Sequence, residues 1–91
     1  MTLKSDPIEI VNKRGLHARA SAALARLANG YSSKITVTKR NESVPAGSIM
    51  GLMMLGAAKG ESVVLEADGD DEAEAIAALV DLISNRFGEG E

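Results

Sequence analysis

The only histidine of this 91-residue chain, His17, lies between a glycine and an alanine-rich stretch that predicts a helix, in the segment KRGLHARAS at 13–21. A helix N-terminus has unpaired backbone N–H groups and a partial positive charge, so it attracts anions and phosphate in particular. An imidazole at this place has a nucleophilic nitrogen beside a phosphate-binding position. Arg19 lies within reach of a phosphate on His17, and a guanidinium forms strong charge-assisted hydrogen bonds with phosphate. A lone histidine is often only a helix cap or a core side chain; these neighbours favour reversible phosphorylation of His17.

A second candidate is Ser48, which precedes the apolar run IMGLMML at 49–55 and the glycine that ends it. Serine is favoured at the N-cap, so the pattern predicts a short helix capped by Ser48. A phosphate on this serine would add about two negative charges where the helix dipole tolerates them. The fold would survive, but the surface presented to partners would change. Ser48 is therefore either a plain cap or a cap that is also a regulatory phosphorylation site.

Methionines mark the same run. A helix this short cannot bury every side, and we expect its inward positions to be Ile49, Leu52, Met53 and Leu55. Met50 and Met54 would then be exposed, and exposed flexible methionines suit a surface that docks several partners. The expected docking residues are Met50, Met54, Arg14, Ala20 and Leu52.

Composition excludes several functional classes. The chain has no cysteine, which rules out disulfides and thiolate metal sites, and a single histidine makes a zinc site improbable. A net charge of −3 with 2% aromatic residues argues against nucleic-acid binding. No apolar stretch is long enough for a membrane span or a secretory signal, so we expect a cytoplasmic protein. The basic residues cluster early and the acidic residues cluster late, which favours an acidic partner or a phosphate near the basic cluster, Lys13, Arg14, Arg19 and Arg26.

Hydrophobic periodicity predicts the element order βαββαβα. The four strands are expected at 8–11, 34–39, 43–44 and 62–67, and Pro45 either confines the third strand to a sheet edge or ends it outright. Helices are expected from His17 to the Asn29-Gly30 stop, over 49–55, and from Asp71 onward. Asp71 and Glu74 resemble a capping box. The buried stripe of the last helix is expected at Ile76, Leu79, Val80 and Ile83.

These elements predict an α+β fold in which four antiparallel strands are covered by helices on one face. We expect one domain over 1–91, with flexible tails at about 1–6 and 88–91.

The chain resembles the HPr family, the histidine-containing phosphocarriers of the bacterial phosphoenolpyruvate-dependent phosphotransferase system. Two motifs carry the resemblance, GLHARA at 15–20 and SIMGLMMLGAAKG at 48–60, and it extends from Ile8 to about Phe87. It implies an open-faced β-sandwich with four strands and three helices. It also implies that His17 accepts a phosphoryl group on Nδ1 from an Enzyme I type donor and passes it to an EIIA type acceptor. Arg19 would assist, and Ser48 would be the target of an HPr kinase/phosphorylase.

Two positions depart from the family pattern: Ala20 stands where proline is frequent, and Gly47 replaces a frequent lysine. The main hypothesis is a monomeric, stoichiometric phosphocarrier without a cofactor, which is a substrate of other enzymes and not an enzyme itself. The alternative is a purely regulatory interaction protein of a nitrogen-related phosphotransferase branch. A small nucleic-acid-binding module is a third class, which charge and the scarcity of aromatic residues disfavour.

Overall fold

Within residues 2–88, the part of the chain that the computed structural model describes, five strands and three helices follow one another. The strands are β1 (Thr2–Lys4), β2 (Ile8–Glu9), β3 (Lys34–Lys39), β4 (Glu42–Pro45) and β5 (Ser62–Asp68). The helices are α1 (Ala18–Ala28), α2 (Ile49–Leu55) and α3 (Glu72–Ser84), followed by a 3₁₀ turn over Arg86–Gly88.

All strand pairs are antiparallel, and the sheet order is β1-β5-β3-β4, with β2 also paired to β5. Alternate side chains of β3 and β5 point into the core, because successive residues of a strand face opposite sides of the sheet. Val37, opposite both Val44 and Leu65, lies at the centre of this face. The helices cover the buried face, so the fold is the open-faced α+β arrangement predicted from the sequence.

The sheet has five strands and not four because its first strand is divided. Pro7 lacks a backbone N–H and cannot donate to the ladder, and the interruption separates β1 from β2. Ser5 bridges the gap: its backbone N–H donates to the Leu65 carbonyl at 2.8 Å, and its hydroxyl accepts from the Leu65 N–H at 2.9 Å. The segment 1–6, expected to be a flexible tail, thus contains a paired strand. Of the tail expected at 88–91, residues 89–91 lie outside the described residues.

Helices α1 and α2 pack against each other in antiparallel orientation. At one end, the Leu16 N–H just before α1 donates to the Ala57 carbonyl just after α2 at 2.9 Å. At the other end, the Asn29 side-chain amide donates to the Gly47 carbonyl at 3.4 Å. Because an α-helix rises about 1.5 Å per residue, the two ends of α2 are about 10 Å apart. The C-terminus of α2 is therefore next to His17, and Ser48 lies at the far end.

The capping box expected for α3 is wrong. Asp71 is the N-cap residue, but its side chain does not cap the helix. Its carboxylate instead accepts hydrogen bonds from the backbone N–H groups of Ser32 and Ser33 at 2.8 and 2.9 Å, and from the Ser33 hydroxyl. These bonds, that of the Ser33 hydroxyl first, hold the pKa of Asp71 below its usual range. The loop at Ser32 and Ser33 thus occupies the carboxylate oxygens that would otherwise accept hydrogen bonds from the first amides of α3.

The buried stripe of α3 is confirmed at Ile76, Leu79 and Ile83, while Val80 is half-buried. The apolar side chains of the core between sheet and helices are aliphatic, with Phe87 of the 3₁₀ turn as the aromatic member. Its largest fully buried apolar side chains are Ile10, Leu24, Leu52, Leu65, Leu79, Ile83, Val37 and Val63.

Candidate functional site

His17 is the N-cap residue of α1, as its position after the glycine turn predicted. Its backbone is extended, with φ −77° and ψ −177°, and its carbonyl accepts the first helical hydrogen bond from the Ser21 N–H at 2.8 Å. The imidazole is half-buried and makes no capping hydrogen bond to the helix. The first turn of α1 contains no acidic residue. The helix N-terminus therefore keeps its partial positive charge beside the imidazole.

The Gly15 carbonyl oxygen organises the turn before His17. It accepts from the Asn12 side-chain amide at 2.8 Å and from the His17 N–H at 2.9 Å, and His17 Nδ1 lies 3.1 Å from it. Because a carbonyl oxygen only accepts, Nδ1 carries a proton when it makes this hydrogen bond. Asn12 is buried, and the sequence analysis did not single it out, since an asparagine in a loop carries no distinctive signal.

Gly15 also sets how closely the turn before His17, residues 12–16, approaches the rest of the protein; we call this segment the histidine turn. Its φ is +61°, and a Cβ built on it would lie 2.4 Å from the Ala57 carbonyl oxygen and 2.9 Å from the Ala58 Cα. The next residue, Leu16, is buried and donates its N–H to the same Ala57 carbonyl. The turn is thus pressed against the segment that follows α2, in a contact that only glycine permits.

Basic side chains surround the imidazole along the chain. Lys13, Arg14 and Arg19 are exposed, and Arg26 is exposed further along α1. Arg19 is in the first turn of α1, two residues after His17. Exposed cations together with the helix dipole make this end of the molecule attractive to an anion.

The exposed side of α2 consists of four large apolar side chains, which we call the methionine face: Ile49, Met50, Met53 and Met54. Met50 and Met54 are 72% and 78% exposed, as expected. The expectation that Ile49 and Met53 point inward is wrong, since they are 45% and 46% exposed. Leu52 and Leu55 are the buried residues of α2, because a helix of seven residues at the border of the fold presents only one narrow stripe to the core.

Ala20 and Leu52, two of the expected docking residues, have no exposed surface. Both side chains belong to the core between α1 and α2, so a partner cannot touch them. The expected docking set is thereby reduced to Met50, Met54 and Arg14.

Ser48 caps α2 as predicted: its hydroxyl oxygen accepts a hydrogen bond from the Gly51 N–H at 3.0 Å. Gly56 ends the helix in the left-handed conformation, with φ +65°. Both ends of α2 are therefore fixed by the local signals that the sequence contains.

Across residues 2–88, no group of three or more His, Asp, Glu or Cys side chains is arranged to hold a metal ion. In the same part of the chain, every helix is too short or too polar to cross a membrane.

Comparison with known proteins shows the family of this chain. The model of the PTS HPr component phosphorylation site matches residues 4–85. The chain belongs to the HPr family. It is 58% identical to the phosphocarrier protein HPr of Neisseria meningitidis serogroup A, over 92% of this chain and 94% of that protein. It is 56% identical to HPr of Cupriavidus necator, over 90% of this chain and 92% of the relative.

A crystal structure of HPr from Thermoanaerobacter tengcongensis superposes with a TM-score of 0.89 at 52% identity, covering 100% of this chain and 99% of that one. The phosphocarrier protein NPr of Shewanella violacea is 36% identical over 98% of both chains, a weaker match than the HPr relatives. The chain is accordingly a phosphocarrier of the phosphotransferase system, and the regulatory nitrogen-branch alternative has the lesser support.

Proposed function

We propose that His17 carries the phosphoryl group, which it accepts on Nδ1 from an Enzyme I type donor and passes to an EIIA type acceptor. The protein is then a stoichiometric cytoplasmic carrier, acted on by those enzymes and performing no turnover alone. One observation carries this assignment: the chain's only imidazole stands at the positive end of α1 without capping it.

Proton movement follows from the contact between Nδ1 and the Gly15 carbonyl. The half-buried imidazole first gives its Nδ1 proton to solvent water, which frees the lone pair of that nitrogen to attack phosphorus. The N–P bond then forms as the bond from phosphorus to the donor breaks, and the contact with Gly15 ends because Nδ1 no longer donates. In this proposal the first-turn amides of α1 and the guanidinium of Arg19, an exposed side chain two residues after His17, would receive the phosphoryl oxygens. Imidazole is a good leaving group, so the phosphoryl group can move onward.

The methionine face and Arg14 form the proposed docking surface. The antiparallel packing of α1 and α2 places the C-terminal end of this face next to His17, so a partner seated on Met54 also reaches the imidazole. Exposed apolar side chains beside exposed cations suit a partner with an apolar patch bordered by acidic groups. Ala20 and Leu52 support this surface from beneath.

Ser48 is proposed as the target of an HPr kinase/phosphorylase. Phosphate oxygens can replace the hydroxyl as acceptor for the Gly51 N–H, so the modification would preserve α2. Because Ser48 is at the far end of α2 from His17, the added charge would act on partner docking and not on the chemistry at the imidazole.

The test is incubation of the purified protein with Enzyme I and phosphoenolpyruvate, followed by intact mass measurement before and after acid treatment. We expect one acid-labile phosphoryl group on the natural chain and none on His17→Ala. An acid-labile phosphoryl group on His17→Ala would overturn the assignment.

A further inference from the structure

The loop after α2 is held by an ion pair whose two residues lie outside both family motifs, 15–20 and 48–60. Lys39, at the end of β3, and Glu61, just before β5, make a salt bridge of 3.3 Å between Nζ and Oε1. We infer that this pair positions His17, by fixing the segment 56–58 on which the histidine turn rests. The inference builds on the proposed function, in which His17 carries the phosphoryl group.

The pair contacts both neighbours of Ala57. Glu61 Oε1 accepts a hydrogen bond from the Ala58 N–H at 2.8 Å. Lys39 Nζ donates to the Gly56 carbonyl at 3.5 Å. Lys39 and Glu61 therefore hold the chain on both sides of Ala57, and we call these two contacts the bracket.

Ala57 in turn supports the peptide bond that precedes His17. Its carbonyl accepts the Leu16 N–H at 2.9 Å, and Gly15 packs against it too closely for any side chain. A shift of Ala57 would move Leu16, and with it the backbone that sets the direction of the imidazole. The bracket thus acts on His17 through two residues and does not touch the reacting atoms.

Glu61 is itself anchored to the core. Its carbonyl accepts from the Ile10 N–H at 2.8 Å, and the neighbouring Gly60 N–H donates to the Ile10 carbonyl at 2.8 Å. Ile10 has no exposed surface. The side chain of Lys39 is only 14% exposed, so solvent screens this pair less than it screens Arg40, which is 80% exposed and 3.5 Å from Glu61 Oε2.

Three variants test the inference in the full chain. Glu61→Ala removes the salt bridge and the acceptor of the Ala58 N–H, and leaves the contact of Lys39 with the Gly56 carbonyl. Glu61→Gln keeps an oxygen that can accept from the Ala58 N–H. Lys39→Met keeps an apolar stem but loses the donor to Gly56. The matched control is Glu74→Ala, which makes the same charge change at an exposed position of α3.

The first readout is hydrogen exchange at the Leu16 amide, with the Ala46 amide, which donates to Ile35, as the internal reference. The second is the pair of constants kcat and KM for the chain as a substrate of Enzyme I. Since one hydrogen bond is worth about 1 kcal/mol net, we expect Glu61→Ala to speed Leu16 exchange and to lower kcat by about three- to tenfold each. We expect KM and Ala46 exchange to stay within about twofold on the same estimate.

Glu61→Gln should recover most of kcat, Lys39→Met should show a smaller loss, and Glu74→Ala should match the natural chain. Unchanged Leu16 exchange, an unchanged kcat, or equal acceleration at Leu16 and Ala46 would overturn the inference. A change in KM alone would also overturn it, because it would assign the pair to docking. If Glu61→Ala does not fold, Glu61→Gln and Lys39→Met carry the same comparisons. Failure of the proposed function can be distinguished from failure of this inference. If the proposed function fails, the natural chain itself gains no phosphoryl group on His17. Leu16 exchange still shows in that case whether the bracket holds the segment before His17.

Discussion

Replacing Gly15 by alanine probes the contact that holds the histidine turn against the loop after α2. Two costs combine at this position. The residue has φ +61°, and an L side chain in that region costs about 1–2 kcal/mol. The new methyl group would also lie 2.4 Å from the Ala57 oxygen, which is backbone and cannot swing away.

Gly56→Ala is the matched comparison, because it has nearly the same φ of +65° but its nearest neighbours are 3.8 Å from the added methyl group. We expect Gly56→Ala to lose about 1–2 kcal/mol of unfolding free energy, from backbone strain alone. Forcing an extra methyl group into a packed site costs about 1–3 kcal/mol more, so Gly15→Ala should lose about 2–5 kcal/mol in total.

Urea unfolding of the two variants measures this difference, and the rate of phosphorylation by Enzyme I measures its effect on His17. We expect Gly15→Ala to be the less stable variant and, in the fraction that remains folded, the slower acceptor. Equal stability of the two variants would refute the reasoning, since the contact with Ala57 would then impose no constraint.

Three further predictions concern single side chains. Arg19→Ala should slow phosphoryl transfer by about 1–3 kcal/mol of activation free energy, from loss of a charge-assisted hydrogen bond, with an unchanged circular dichroism spectrum; unchanged transfer kinetics would remove Arg19 from the site. Ser48→Asp should raise the KM of Enzyme I for the chain at low salt, because the new carboxylate repels the acidic groups expected on the partner's surface. The rise in KM should shrink as salt screens this repulsion. Equal rates for Ser48→Asp and the natural chain at low salt would leave Ser48 as a plain helix cap. Because the hydrogen bonds to Asp71 lower its pKa below 3.8 in the folded state, the stability that its ionised form contributes is present above that pH and is lost as the pH falls through the folded-state pKa. Unfolding measured against pH should therefore show the largest advantage over Asp71→Asn above pH 3.8, and a pH-independent difference would contradict this assignment.

The parts of the fold that the sequence predicts best depend on signals close together in the chain. Helix α2 begins at a serine cap and ends at a glycine, and both ends are as expected. The edge position of β4 is one of the two alternatives that Pro45 left open, and the strand includes Pro45 at the edge of the sheet. His17 at the start of α1 follows from the glycine turn and the helical period that surround it.

The features that the sequence analysis missed depend on partners distant in the chain. Strand β1 exists because β5 offers it an edge, and nothing in its three residues signals that pairing. The Asp71 carboxylate is taken by Ser32 and Ser33, 39 and 38 residues away, which overrides the local capping pattern. Lys39 and Glu61 are 22 residues apart, so their common contact with the loop after α2 appears only in the folded protein.

The pattern of exposure along α2 depends partly on local sequence signals and partly on contacts distant in the chain. The period of its apolar residues predicts that one side is buried, but not how wide that side is. The width of the buried side depends on where the helix lies on the sheet. In this fold the buried side is narrow, so Ile49 and Met53 lie on the exposed methionine face.

The most direct test of the carrier function is a two-step transfer experiment. The chain is phosphorylated with Enzyme I and labelled phosphoenolpyruvate, separated from both, and mixed with an equimolar EIIA protein. We predict that the label leaves the chain and arrives on EIIA in equal amount, that the chain recovers its original mass, and that His17→Ala neither gains nor passes on label. A chain that is phosphorylated on His17 but transfers none of the label to any EIIA protein would contradict the central claim.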